Sequence, residues 1–248
     1  MSKVMIVTGA SRGIGAAIAQ LAAQRDFSVC INYARNAAIA DAMVDQITQA
    51  GGKAIAVRAD VSRKEEAVHL FQEVDSRLGT VDVLMNNAGI IGDPRLVEDL
   101  DPAALQQIFA VNVYGSFYCA GEAVKRMSTR YGGKGGAIVN LSSAAARHGG
   151  LPKEVAYAAS KGALDSFTLA LAKEVARDGV RVNAVRPGLI ATDIHDAHGG
   201  REAIATLGAT VPIGRPGAAS EVAETALWLA SPAASYIHGA LIDVSGGR

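Results

Sequence analysis

The 248-residue chain is poor in several things, and each shortage removes a class of function. It has two cysteines, one tryptophan and an aromatic content of 5%. Both cysteines, Cys30 and Cys119, stand in apolar stretches, where the usual role is a small buried hydrophobe, so neither a disulfide framework nor a cysteine-built metal site is expected. Charge of one sign is not in excess either, because 24 Lys and Arg balance 24 Asp and Glu. That balance argues against a nucleic-acid partner and against a membrane surface, both of which select basic patches. No run reaches the ~18 apolar residues of a membrane span, and the first apolar run is too short for a signal peptide. These absences together suit a protein of the cytoplasm. What the chain does have is small and apolar residues, with half of it hydrophobic and 27 glycines. A chain of this size buries around 70% of its unfolded surface, so a sizeable core is available.

Short β-type runs alternate with amphipathic helical stretches from end to end, and no linker, repeat or low-complexity segment interrupts them. The strands are apolar on both faces, as strands of a covered parallel sheet must be. The expected fold is therefore α/β: a Rossmann-type doubly wound parallel sheet of about seven strands in three layers, α/β/α, forming one domain over residues 1–248.

The first strand, over 3–7, runs straight into Thr8-Gly9-Ala10-Ser11-Arg12-Gly13-Ile14-Gly15 and then a helix. Strand, glycine turn and helix in that order suit a phosphate: Gly9, Gly13 and Gly15 let the backbone approach, and the free N–H groups at the helix start, with Ser11 and Ile14 between the glycines, bind the anion. A plain tight turn also uses glycine, and the Gly-x-x-x-Gly-x-Gly spacing differs from the standard fingerprint. At the end of the second strand, over 28–33, a dinucleotide fold places its ribose reader. An acid there suits NAD(H), whereas arginine accommodates the 2′-phosphate of NADP(H). The residues are Asn32, Tyr33 and Arg35, the only nearby acid, Asp26, precedes the strand, and Arg12 adds a second cation. NADP(H) is the expected cofactor, with NAD(H) the alternative.

Further along, strands end at Asp60-Val61, at Asn86-Asn87-Ala88-Gly89 and at Ser142-Ser143, which is where ligands lie in open parallel sheets. A long helical pattern over 103–129 carries Asn112 and Gly115 in its middle, both poor interior helix residues, marking either a bend or a place where the helix bonds something other than itself. A helix then carries Tyr157-Ala158-Ala159-Ser160-Lys161. Residues four apart share a helix face, with Cβ atoms ~5–6 Å apart. At ~5 Å and an effective dielectric of ~20, the lysine charge is worth roughly 3 kcal/mol, or about 2 pKa units, to a tyrosinate. The phenol could then exchange protons near neutrality. An isolated Tyr-x-x-x-Lys is more often a surface tyrosine packed on a lysine stem, so context decides. The sixth strand stops at Pro187-Gly188, and 190–217, beginning with Ile190 and Thr192, reads as a substrate lid. Asp193, His195 and His198 within it lack a third histidine or a cysteine and read as solvated loop residues, so no metal is expected.

Taken together, Thr8-Gly9-x-x-x-Gly13-x-Gly15, Asn86-Asn87-Ala88-Gly89, Asn112, a serine after the fifth strand, Tyr157-x-x-x-Lys161 and Pro187-Gly188 resemble the classical short-chain dehydrogenase/reductase family over essentially the whole chain. The resemblance implies an oxidoreductase acting on a small-molecule carbonyl or alcohol. Tyr157 would be the general acid/base, Lys161 its charged partner on the nicotinamide ribose, Ser143 the holder of the substrate oxygen and Asn112 the keeper of a relay water. It also assigns Asp60 and Val61 to the adenine, Asn87 to the adenosine ribose, and Ile190 and Thr192 to the carboxamide and phosphates. The connection from the serines to Tyr157 is about a residue longer than in many relatives, which leaves Ser142 as an alternative to Ser143. Among subgroups the chain looks most like 3-oxoacyl-carrier-protein reductases and bacterial sugar or polyol dehydrogenases. A carrier-protein partner would need surface cations, for which Arg126, Arg130, Lys134, Arg147 and Lys153 are candidates. Family members are usually homotetramers. A non-catalytic dinucleotide sensor is the alternative from another class, and the intact Ser143, Tyr157 and Lys161 argue against it.

Overall fold

A strand with helices on both sides needs apolar side chains at odd and even positions alike. The structure, a computed structural model that describes residues 2–192, 204 and 206–248, shows this in its first strand. Met5 and Val7 enter one core cluster while Val4 and Ile6 enter the other. In chain order the elements are β1 (Val4–Val7), α1 (Gly13–Ala23), β2 (Ser28–Tyr33), α2 (Ala37–Gln49), β3 (Lys53–Arg58), α3 (Lys64–Arg77) and β4 (Val83–Asn86). There follow α4 (Pro102–Phe109), a π-helical turn (Ala110–Tyr114), α5 (Gly115–Met127), β5 (Gly136–Leu141), α6 (Ala145–His148), α7 (Val155–Val175), β6 (Val180–Pro187), α8 (Ala219–Ala230) and β7 (Leu241–Val244). The seven strands form one sheet in the order β3-β2-β1-β4-β5-β6-β7, and every pairing is parallel. Helices α1, α2 and α8 cover one face, and α3, α5 and α7 cover the other. The expected Rossmann-type three-layer architecture is the observed one.

Between β1 and β4 the winding reverses, and a crevice opens there at the carboxyl ends of the strands. The glycine turn follows β1 directly, and Asn87-Ala88-Gly89 follows β4, whose last residue is Asn86. Helix α1 starts at Gly13, earlier than its alanine-rich sequence suggests, so the glycines form its first turn. The long helix expected over 103–129 is divided at Ala110–Tyr114 into α4 and α5. Helix α6 appears in what reads as a plain connection. Both cysteines are free and buried, and burial pushes both thiols up, that of Cys119 to about 12. No helix among the described residues is long and apolar enough to cross a membrane.

A buried polar chain ties the central strands to α7. Asn86 Nδ2 donates to Asn140 Oδ1 (2.9 Å), and Asn140 Nδ2 donates to Thr168 Oγ1 (2.8 Å), which donates in turn to the Leu164 carbonyl. All three residues are essentially inaccessible, so each link replaces hydration that folding removed. Thr168→Val keeps the shape but leaves the Asn140 amide without its acceptor. It is expected to lower unfolding free energy by about 1–3 kcal/mol, read from urea denaturation with an unchanged slope.

Candidate active site

The nucleotide end of the crevice is assembled by hydrogen bonds between the two strand ends. Thr8 Oγ1 accepts from the backbone N–H groups of Asn87 (2.9 Å) and Ala88 (3.0 Å), and Asn87 Nδ2 donates to the carbonyls of Thr8 (2.8 Å) and Gly9 (3.1 Å). Asn32, from the end of β2, accepts from the Gly9 N–H (3.2 Å) and donates to Ala59 (2.9 Å). Such lacing leaves no room for side chains. A Cβ at Gly9 would sit 2.9 Å from the Ala88 Cα, and one at Gly15 would sit 2.4 Å from Asn87 Nδ2 and 2.7 Å from the Gly9 carbonyl. Helix α1 has no side-chain cap and no acidic residue in its first turn, so its free N–H groups point a positive end into the crevice. This cradle fits the phosphates of a dinucleotide.

The cleft that starts there has a volume of about 860 Å³. Gly9, Ser11, Arg12, Gly13 and Ile14 line its first part, and Tyr33, Arg35, Asp60 and Val61 follow from the ends of β2 and β3. Arg12 and Arg35 are exposed, and neither guanidinium has an ion pair or hydrogen bond among the described residues. No acid stands at the end of β2, since Asp26 lies at its other end. The Asp60 carboxylate is engaged by Ser62, whose N–H (3.0 Å) and hydroxyl (2.7 Å) both donate to Oδ1. Asn87, Ala88 and Gly89 line the middle, with Pro187, Gly188, Ile190 and Thr192 opposite. Of the residues singled out in the sequence, Gly15 and Asn112 do not line the cleft; both act from behind it. The ends of the expected lid meet, since Ile190 bridges Gly217 and Leu189 packs with Ile204 and Val211. Asp193, His195 and His198 lie outside the described residues.

At the far end Ser143, Tyr157 and Lys161 converge on the cleft. The two adjacent serines have different positions. Ser142 donates its hydroxyl to the Lys161 carbonyl (3.2 Å), whereas Ser143 reaches the Tyr157 phenol. Lys161 is buried, its ammonium donating to the Leu141 carbonyl (2.6 Å) and lying 5.8 Å from the Tyr157 ring centre. The expectation that this cation lowers the phenol's pKa is not met in this arrangement. Burial dominates and pushes Tyr157 up to about 12, against a lowering by Ser143, while burial brings Lys161 down to about 8. The lysine charge is directed to the Leu141 carbonyl, not to the phenol. At neutral pH Tyr157 thus holds its proton and Lys161 is mostly charged.

Asn112 explains the π turn. Its Oδ1 accepts from the Ile90 N–H (2.8 Å), and its Nδ2 donates to the Ile90 carbonyl (2.9 Å) and to Ser160 Oγ (2.9 Å). Ser160 donates to the Tyr157 carbonyl (2.7 Å), so Asn112 fixes both the β4 loop and the helix that carries the tyrosine. Thr8, Asn32 and Ser160 stand within the stretches quoted from the sequence but were given no role there. Their types are common at turns and on helices, and only the fold reveals their partners. His148, Glu154, Arg95 and Arg248 add polar groups around the substrate end, and His148, whose Nδ1 accepts from the Gly150 N–H (3.2 Å), has its pKa lowered by burial and by Arg248.

A family model described as Enoyl-(Acyl carrier protein) reductase matches residues 9–248. The chain is 44% identical to an uncharacterized oxidoreductase, YgfF, of Escherichia coli, over 99% of each protein. It is 39% identical to a 3-oxoacyl-[acyl-carrier-protein] reductase of Synechocystis, over 99% of this chain and 96% of the relative. Among solved structures, a short-chain dehydrogenase/reductase from Serratia marcescens superposes with a TM-score of 0.90 at 34% identity, covering 99% of this chain and 97% of the other. With the glycine cradle and the Ser143–Tyr157–Lys161 end in one crevice at the carboxyl ends of the strands and the Asn112 turn behind it, the chain belongs to the short-chain dehydrogenase/reductase family of oxidoreductases.

Proposed function

We propose that the protein is an NADPH-preferring reductase of a small carbonyl compound, or the alcohol dehydrogenase in reverse. The observation that carries this reading is one continuous cleft with an anion cradle and two unpaired guanidinium groups at one end and Ser143, Tyr157 and Lys161 at the other. Arg12 and Arg35 would hold the 2′-phosphate, the α1 N-terminus the pyrophosphate, and Lys161 the nicotinamide ribose. When bound, the nicotinamide supplies or accepts the hydride. The protein's part is to place donors where charge develops. Ser143 Oγ and the Tyr157 phenol face the substrate oxygen, which becomes more negative as the carbon is reduced, and Tyr157 then passes it a proton. A phenol that keeps its proton to about 12 suits the acid role in reduction. Charged Lys161 stabilises the phenolate left behind, and Asn112 stations the β4 loop and α7 for a proton path to that lysine.

The printed name of the Synechocystis relative makes a 3-oxoacyl group on a carrier protein one substrate to try. Three of the surface cations considered for that partner are already engaged, Arg147 by Asp243 at 3.7 Å and by the Arg248 carbonyl at 2.5 Å. Arg126 is paired with Glu122 and Asp75, both at 2.7 Å, and Arg130 with Asp178. A free ketone, 3-oxoester or sugar is the simpler occupant. A homotetramer is supported by large apolar side chains left exposed on α5, α7 and α8, namely Phe117, Leu169 and Trp228. Light scattering after gel filtration is expected to read about four times the 25.5 kDa chain mass.

Tyr157→Phe removes only the hydroxyl. Its turnover with whichever small ketone or 3-oxoester the parent reduces is expected to fall by ~10²–10⁴-fold, with NADPH affinity, read from nucleotide fluorescence, unchanged within about twofold. Unchanged turnover would remove Tyr157 from the chemistry. Arg35→Asp is expected to weaken NADPH binding at least ~10-fold, the loss of about 1.4 kcal/mol or more of charge-assisted hydrogen bonding, while NADH binding holds or improves. An unaltered NADPH/NADH ratio would take Arg35 out of the phosphate site.

A further inference from the structure

One turn beyond Lys161 on α7 stands Asp165, buried and facing β6. Arg186, the residue just before the Pro187-Gly188 turn, donates to it through Nε (2.9 Å) and Nη2 (2.7 Å), and both bonds go to Oδ2. Oδ1 is buried without a hydrogen-bond partner among the described residues. A pair built only to hold β6 against α7 would use both oxygens, and a buried ion pair is in any case a weak source of stability. Arg186 is itself balanced from the other side. Asp243 on β7 approaches its Nη1 at 3.9 Å, and Arg147 on α6 approaches Asp243 at 3.7 Å. The cation next to Asp165 is thus shared with a second acid, and of these charges Asp165 is the one that acts on Lys161.

We propose that Asp165 is a positioning residue for Lys161, its carboxylate fixed by Arg186 so that a permanent anion one helical turn away keeps the buried lysine charged. This rests on the reading of Lys161 as the cationic partner of Tyr157. The groups around Lys161 leave the task to Asp165. From β5 it meets the Leu141 carbonyl, and Gly89 after β4 stands between its ammonium and the side chain of Asn112 on the π turn, both without charge. From α7 it meets the phenol of Tyr157 and Asp165. Glu154 exerts its field on Tyr157 and His148. Burial works against the lysine charge, and Asp165 is the group that opposes it. A cation lost at Lys161 would leave the Tyr157 phenolate unstabilised, so the acid/base cycle depends on this carboxylate although it touches no substrate.

The test reads the lysine directly and needs no turnover. In full-length protein labelled at lysine 13Cε, the Lys161 resonance is identified by its loss in Lys161→Met and titrated with pH. Asp165→Asn removes the anion, disfavours the ammonium and is expected to lower the midpoint by about 1–2 pH units, the size of a unit-charge interaction over roughly 6–8 Å at an effective dielectric of ~20. Arg186→Leu leaves the anion unshared and is expected to raise it. A pair with a merely structural role would lower the melting temperature in both variants and move the midpoint in neither, or in the same direction in both, and either result overturns the proposal. Should a single variant fail to fold, the Asp165→Leu/Arg186→Leu double variant removes both charges together. Its midpoint is expected below the parent's because Asp165 is the nearer charge, and an unchanged midpoint overturns the proposal too. The Tyr157→Phe kinetics fail or succeed independently of this titration.

Discussion

Everything in the crevice depends on how β1 and β4 are joined past their last paired residues. Parallel strands bound by backbone ladders alone would fray at their carboxyl ends, where each next residue turns away to its own helix. Here Thr8 and Asn87 continue the connection with side chains, four bonds of 2.8–3.1 Å between them and the neighbouring backbone. The glycine turn is therefore not a flexible loop. Its carbonyls are held from one side by Asn87 and its first N–H from the other by Asn32. A phosphate bound there would meet a surface whose shape was fixed on folding, which would spare binding the entropy of ordering a loop.

The opposite end of the cleft is governed by desolvation. The same low-dielectric surroundings act in opposite senses on an acid that is neutral when protonated and a base that is charged when protonated. Tyr157 is raised to about 12 and Lys161 lowered to about 8, so titrations that ordinarily lie close together are driven apart. Ser143 offsets part of the first shift and Asp165 part of the second.

The sheet and its order of helices were legible because they follow from alternation and apolarity alone; β2 was read at its observed bounds. The pairing of Tyr157 with Lys161 was legible because the two share a helix, so their distance is set by local geometry. What depends on tertiary distance was not. Spacing along the chain could not separate Ser142 from Ser143, since only the packing of α7 against β5 engages the first hydroxyl and leaves the second facing the phenol. The sign of the Tyr157 shift escaped for a related reason. A Coulomb argument from two residues has no access to the burial that outweighs it, nor to the carbonyl that claims the ammonium. Asn112 falls between these cases: its unsuitability inside a helix marked the position, but Ile90 and Ser160 as its partners come from elsewhere in the chain.

The π turn at Ala110–Tyr114 also sets the phase of everything after it. A wide turn accommodates about one residue more than an α-helical turn, and each residue rotates a helix by ~100°. Were the same residues wound as a regular α-turn, α5 would be rotated by that angle and would present a different stripe to the sheet. Cys119, Ala123 and Met127, which now lie in the core, would swing sideways, and charged Lys125 and Arg126 would turn towards it. The irregularity at Asn112 is in this sense a phase key: the apolar face of α5 is written in the sequence for a helix that has already been advanced by one residue.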